Sequence, residues 1–520
     1  MSLGQNINFS MLQAWIVMFL GLIFAVFVGN AIGDDNGKLV LLILGALSGI
    51  AGLLWMGKRY WLLIPIGMTS GLPALPIGGR TLELGELAIA ACFGVFLLRL
   101  AMRKDKVRLS PLLFFVLLSF AWVAFIYWLN PVGFAFMGAS SVGARDYQRI
   151  ALGVSACLVL ANQKISDKEA KWLIAIAVIG PMLGMCYAFL SHGVLGGGPA
   201  IDEDGNEYTW HQSMSSPAFA LVLYMFSKYS PAEIFTPVTF GRMATVFGAM
   251  FVALSSGKRA VVATLMLTPM VSAILRRQWA HFYIYVIMAI AGVTFLVTGH
   301  GQYFELPFRV QRSLANFPGA WDPEIKGMTA EGADSFRTAM RELAWQRIKA
   351  RPFIGKGLGF DLEEVSGYST SAFSAGDTTI LALGNSWHNT WLGLGADFGA
   401  PAVLLHMVVF VLTLYFAYSN YRNTSRTTSL GIYCMMVFIG MIFALLRSYT
   451  SGSSNVGFYF YWQVGIILGI AATLKAESRK TTDLSLDPLP AKGADGWKSR
   501  GQVVLPTKQP VASTQSSALR

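Results

Sequence analysis

The sequence predicts an all-α polytopic membrane protein with about 12–14 transmembrane helices and one large, partly helical loop on the outer side. Three observations predict it. Only 13% of the 520 residues are charged, against roughly 25% in a soluble domain. Mean hydropathy is +0.53. Apolar runs of about 18–22 residues recur along the chain, the length a helix needs to cross the hydrocarbon core. Runs such as AWIVMFLGLIFAVFVG do not alternate in polarity, so they read as helices, which pair their own backbone groups inside lipid.

Taken in order, the apolar spans fall near 12–30, 39–56, 60–77, 84–101, 110–129, 147–162, 170–190, 213–228, 240–256, 260–276, 279–298, 388–418, 428–446 and 456–474. Met1–Ser10 has no basic region and no small-residue cleavage site follows, so the first span is expected to be kept as a helix. Pro65, Pro73 and Pro76 interrupt the third, which is expected to be broken or re-entrant.

Basic loops set the orientation. MRKDKVR (102–108), NQKISDKEAK (162–171), LRRQWAH (275–281) and NYRNTSR (420–426) are assigned to the cytoplasm. Counting outward places both termini there as well. The loop 191–212, with Asp202, Glu203, Asp204 and Glu207 and no Lys or Arg, suits the opposite side. The net charge of +12 is explained by these short loops, and no nucleic-acid partner is expected. Cys92, Cys157, Cys186 and Cys434 each lie in an apolar span without a CxxC, giving neither a disulfide framework nor a metal site.

These assignments divide the chain into about eleven N-terminal transmembrane helices (1–298), a large outer loop (299–387), about three C-terminal transmembrane helices (388–474) and a disordered cytoplasmic tail (475–520). Within the large loop, Ser335–Ala350 has helix-compatible composition and Pro352 should end that helix. Gly355, Gly357 and Gly359 then read as a flexible turn. They neither follow a strand nor open an amphipathic helix, so they carry no dinucleotide fingerprint.

Several polar residues stand out from the apolar background. His388 opens a span, between Trp387 and Asn389; a neutral imidazole can accept a proton from a hydroxyl at physiological pH. The tryptophans beside it are what an interfacial aromatic belt supplies in any case. Arg259 lies at a tight link on the outer side, where the positive-inside rule does not put it and a charge near the membrane is costly. Snorkelling to the interface is the alternative. Arg337 and Arg341 are four apart and share a helix face, as do Arg145 and Arg149. Guanidinium groups bind phosphate oxygens bidentately; a solvated face or a structural role is the alternative for each pair. There is no P-loop, no H-E-x-x-H and no D-x-D placed to bridge a nucleotide diphosphate. The expectation is a metal-independent reaction without a cofactor, with arginines stabilising phosphate charge.

Three motifs carry a resemblance to a known family. SSGKRAVV, FRTAMRELAWQRIKARPFIGKGLGF and SWHNTWLGLGADFG resemble, in order, the S-G-S-R-G element, the R…P-x-x-G-x-G run and the H-N-x-x-L…G element of the O-antigen ligase and polymerase superfamily of bacterial envelope glycosyltransferases. The resemblance covers about 240–470, and the N-terminal spans only by hydropathy. Lys258 departs from the pattern, and about fourteen spans exceed the family's usual number. The resemblance implies an inner-membrane glycosyltransferase whose large loop is periplasmic. It would transfer a glycan from undecaprenyl diphosphate, with inversion, to a glycan or lipid A-core acceptor. It also implies Arg259 and Arg337 on the diphosphate and His388 as general base or acceptor guide. Arg341, Arg145, Arg149 and Asn389 are the further candidate substrate contacts. A protein O-oligosaccharyltransferase or a flippase or transporter of lipid-linked glycan are the rival readings.

Overall fold

The computed structural model describes residues 56–71, 75–77, 80–102, 107–131, 144–190, 200–201, 207–208, 213–236, 239–256, 259–315, 317–323, 325, 333–358, 387, 389–450 and 456–486. The spans expected at 12–30 and 39–56 lie outside them. The helices, in order, are α1 (Leu63–Thr69), α2 (Leu84–Ala101), α3 (Pro111–Leu129), α4 (Ala144–Ala161), α5 (Asp167–Ala188), α6 (Ser215–Lys228), α7 (Pro231–Ile234) and α8 (Phe240–Leu254). They continue with α9 (Arg259–Leu275), α10 (Trp279–Gly299), α11 (Phe308–Leu314), α12 (Ala333–Ala350), α13 (Thr390–Arg422), α14 (Ser429–Thr450) and α15 (Val456–Leu486). Two short antiparallel ribbons interrupt them: β1 (Leu75–Ile77) with β2 (Arg80–Leu82), and β3 (Ala200–Ile201) with β4 (Glu207–Tyr208).

Among the described residues, α2, α3, α5, α10, α13 and α14 are long and apolar enough to cross a membrane, and α8 and Ala263–Leu275 of α9 are shorter apolar helices. The fold is an all-α polytopic membrane protein. Contacts divide the chain into units 1–474 and 475–520; α15 itself runs on to Leu486, beyond the boundary the sequence suggests for the last span.

Local chemistry sets the helix ends. The Ser110 hydroxyl accepts from Leu113 N at 3.1 Å and Pro111 takes the first helical position, which together start α3. The third apolar stretch is broken, as its prolines suggest: a 3-10 turn (Gly57–Leu62) leads into α1, which stops at Thr69 before β1. α1 lies close against α5, where a Cβ on Gly180 or Gly184 would strike Thr69 or the Ser70 backbone. Small residues permit such approach in a bundle held by van der Waals contact.

The core forms two main clusters. One joins the 3-10 turn and α1, α2, α5 and α14 through residues such as Tyr60, Trp61, Ile64, Ile89, Leu173 and Ile439. The other joins α3, α4, α13 and α15 through Leu113, Val154, Phe398, Val409 and Ile467. Between them sits a charge cluster. Glu83 and Glu86 make a capping box at the start of α2, and Arg149 of α4 pairs with both, its Nε 3.0 Å from Glu86 Oε1. The Glu86 side chain is only 6% exposed, so its charge depends on that arginine.

The second structural device is a break in α13. Gly399 has φ 78° and ψ 175° and Pro401 follows it, a backbone region open essentially to glycine alone. The break frees the carbonyls of Ala396, Asp397 and Phe398 and the N–H of Ala400. Each finds a partner: Lys356 N donates to Ala396 O at 3.0 Å, Gly357 N to Asp397 O at 2.7 Å, and Ala400 N to Pro352 O at 2.8 Å. The Trp122 indole donates to Phe398 O at 2.9 Å. The sequence expectation of a flexible turn at Gly355 and Gly357 is corrected here. Both take positive φ and the stretch 352–357 is bonded to the broken helix. A Cβ on Gly355 would collide with the Asp397 backbone, and one on Gly399 with the Phe353 backbone.

Two outcomes follow for the folded protein. Arg149→Met strands buried Glu86 and should lower stability by about 3–5 kcal/mol, read as a fall in detergent melting temperature; Arg149→Met combined with Glu86→Gln should recover part of it. Gly399→Ala should cost at least about 1–3 kcal/mol from backbone strain and expose the 352–357 stretch to limited proteolysis. An unchanged digestion pattern would show that this docking does not depend on glycine.

Candidate functional site

The residues around position 388 are built from the break in α13. Trp387 is buried, 1% exposed, and its indole N–H donates to Asp397 Oδ2 at 3.0 Å. The Arg347 guanidinium of α12 lies 4.8 Å from the centre of the Trp387 ring, a cation–π contact. Asn389 begins α13 as its N-cap: its Oδ1 accepts from Trp391 N at 3.0 Å and Leu392 N at 3.1 Å, two donors that would otherwise lack a partner. His388 itself lies outside the described residues, between these two anchored neighbours. Trp391 donates its indole N–H to Ser448 Oγ of α14 at 2.9 Å. The reading of Trp387 as an interfacial belt residue is therefore corrected: it is an internal strut between α12 and α13.

α12 rests on α13 through Met340 and Ala344, both buried, with Leu343, Ile348 and Leu392 around Trp387 and Ala396. Helical register places Arg337 one turn before Met340 and Arg341, on the stripe that continues through Ala344 and Ile348. The Arg337 side chain is outside the described residues. Arg341 is exposed. The helix ends two residues before Pro352, as the sequence suggests, and hands the chain to the docked stretch 352–357.

Arg145 lies in the first turn of α4 with its side chain outside the described residues. Two residues on, Tyr147 reaches the site: its hydroxyl accepts from Leu358 N at 3.1 Å and its ring meets Phe398 edge-on at 6.1 Å. Arg149 is turned the other way, into the carboxylates of α2, so its charge is used within the bundle. Arg259 opens α9, its side chain also outside the described residues. α14 packs against both α9 and α13 and so links the helix of Arg259 with that of Asn389.

Sequence reasoning passed over Tyr147, Trp122, Asp397 and Arg347. Asp397 carried a signal, an acidic residue inside an apolar span. The others carried none, because their roles depend on partners between 40 and 276 residues distant in the chain. Among the described residues no three His, Cys, Asp or Glu side chains gather to hold a metal.

The arrangement presents the start of α13, with a buried carboxylate behind it, next to an arginine-bearing helix and the head of α4. No curated protein matches the chain. Residues 244–407 match the family model described as O-antigen ligase. That stretch runs from within α8 to the middle of α13 and contains Arg259, Arg337, Arg341, position 388 and Asn389. The match supports the O-antigen ligase/polymerase superfamily for this chain, with glycan transfer of the ligase or polymerase type as the family's activity.

Proposed function

We propose that this protein is a membrane glycosyltransferase that takes a glycan from undecaprenyl diphosphate and joins it to a sugar hydroxyl, on a growing glycan or on lipid A-core. The family match over 244–407, which contains all three candidate catalytic residues, carries this reading. The docked 352–357 stretch supports it, because it ties the end of the arginine helix α12 to the start of α13. The protein sits in the bacterial inner membrane with both termini cytoplasmic and the large loop periplasmic, following the charge of its loops.

The step is an inverting displacement. The acceptor oxygen forms a bond to the anomeric carbon while the bond from that carbon to the diphosphate oxygen breaks. The electron pair leaves with the diphosphate, and the hydroxyl proton passes to the His388 imidazole. Arg259 and Arg337 bind the diphosphate and stabilise the charge that grows on it; Arg341 and Arg145 extend the cationic surface that receives it. Asn389, which caps α13 through its carbonyl oxygen, and Asp397, which holds Trp387, fix the chain on either side of His388. The reaction needs no metal, since arginines supply the positive charge.

A flippase or transporter of the same lipid-linked glycan is a second reading, favoured by the breaks after α1 and within α13, since discontinuous helices recur at transport sites. Purified protein in nanodiscs with undecaprenyl diphosphate-linked glycan and an acceptor distinguishes them. The transferase releases undecaprenyl diphosphate and lengthens the acceptor; translocation without release would favour transport. In that assay His388→Ala should lower the rate by about 10²–10⁴, and Arg259→Ala and Arg337→Ala by about 10²–10³ each. Arg259→Lys should stay impaired because an ammonium lacks the fork geometry. Full turnover by His388→Ala would remove its proposed role, and strict dependence on added metal after EDTA treatment would contradict the arginine-only scheme.

A further inference from the structure

The segment after α10 folds back onto the end of the bundle where α8 turns into α9. α11 buries Val310 and Leu314, together with Trp321 and Ile325, against Leu254, Met266, Leu296 and Val297. His300 stacks on Trp321 with ring centres 5.4 Å apart and its Nδ1 accepts from Leu306 N at 3.1 Å. Ser313 donates to the carbonyl of Leu254, the last residue of α8, at 3.0 Å. Arg309 is four residues before Ser313 and therefore on the same helix face. Helical side chains lean toward their own N-terminus, so Arg309 lies at least one turn further along α11 from the end of α8 than Ser313 does.

Arg309 is unusual in what it lacks. Its Nη1 is buried and has no hydrogen-bond partner among the described residues. Neither it nor Arg312 forms an ion pair among them. Burial first, and the like charge of Arg312 second, push its pKa below the usual arginine range. An unsatisfied buried donor destabilises the fold that carries it and calls for a ligand or another explanation. Two arginines with no ion-paired carboxylate among the described residues, on one short helix, offer donors to an anion.

We propose that Arg309, seconded by Arg312, binds a phosphate group of a lipid at the membrane surface, on the short helix that packs against α8 and α9. This rests on the reading of the chain as acting on a phosphorylated lipid. The phosphate belongs to the carrier diphosphate, to a phosphorylated acceptor lipid, or to a bilayer phospholipid, and binding distinguishes them.

The experiment uses the full chain in detergent, with undecaprenyl diphosphate, lipid A-core and phosphatidylglycerol as separate probes. Binding is followed by native mass spectrometry, and KM by turnover. Arg309→Met should weaken one of the three probes by about tenfold, the loss expected for a charge-assisted contact, and, where that probe is the carrier or the acceptor lipid, raise the KM of the corresponding substrate. The same variant should melt no lower than the wild type, because it removes an unpaired donor. Arg309→Lys should recover part of the binding. Unchanged affinity for all three probes, or a melting temperature that falls in step with affinity, would overturn the proposal. Wild-type turnover with affinity for all three probes unaltered in Arg309→Met would sink the subsite and leave the transferase reading standing. Arg309-dependent binding without any turnover would do the reverse.

Discussion

A helix interrupted inside a membrane bundle leaves backbone groups that lipid cannot satisfy. In this protein the interruption is at Gly399, and the short stretch 352–357 repairs it by adding three main-chain hydrogen bonds, with the Trp122 indole supplying a fourth. The remainder of the candidate site hangs on that repair. It fixes where α12 ends, which sets where Arg337, Arg341 and Arg347 stand along α13. It also sets the carbonyl of Asp397 toward Gly357 while its carboxylate holds Trp387. Two glycines make the contact possible, since a Cβ on either Gly355 or Gly399 would occupy the space of the opposing backbone.

Much of this was legible in the sequence, and what was hidden has a physical cause. Hydropathy located the helices, because length and apolarity are properties of a single segment. Loop prolines located the ends of α1 and α12. Spacing could not tell one arginine pair from another: Arg145 and Arg149 stand four apart just as Arg337 and Arg341 do. The fold gives Arg149 two glutamates from a helix more than sixty residues earlier and leaves Arg341 exposed. Trp387 looked like one more interfacial aromatic, because only the three-dimensional arrangement brings Asp397 and Arg347 to it. The glycine turn looked flexible because its partners, the carbonyls of Ala396 and Asp397, are released only by a break in a helix that hydropathy reads as continuous.

The arginines illustrate how context decides the use of one side chain. Arg149 neutralises buried acid. Arg347 lies over an indole ring. Arg276 donates to the carbonyl of Ser227 at 2.8 Å, completing the end of α6. Arg309 has an atom with no described partner at all. The first three uses are spent on the fold, and Arg309 shares with Arg276, whose Nε also has no described partner, a donor that the fold does not use.

The two ends of the chain that joins α12 to α13 are each held to the bundle: Leu358 by the Tyr147 hydroxyl and Trp387 by Asp397. The two anchors meet at Asp397, whose carbonyl accepts from Gly357 N and whose carboxylate accepts from the Trp387 indole. Closing such a loop grows costlier only slowly with length, by roughly 0.6 kcal/mol per doubling. By contrast a single inserted residue between 389 and 399 would rotate the start of α13 by about 100° and undo the docking. The candidate site thus depends on the fixed length of the segment 389–399, which sets the turn of α13 that meets the 352–357 stretch.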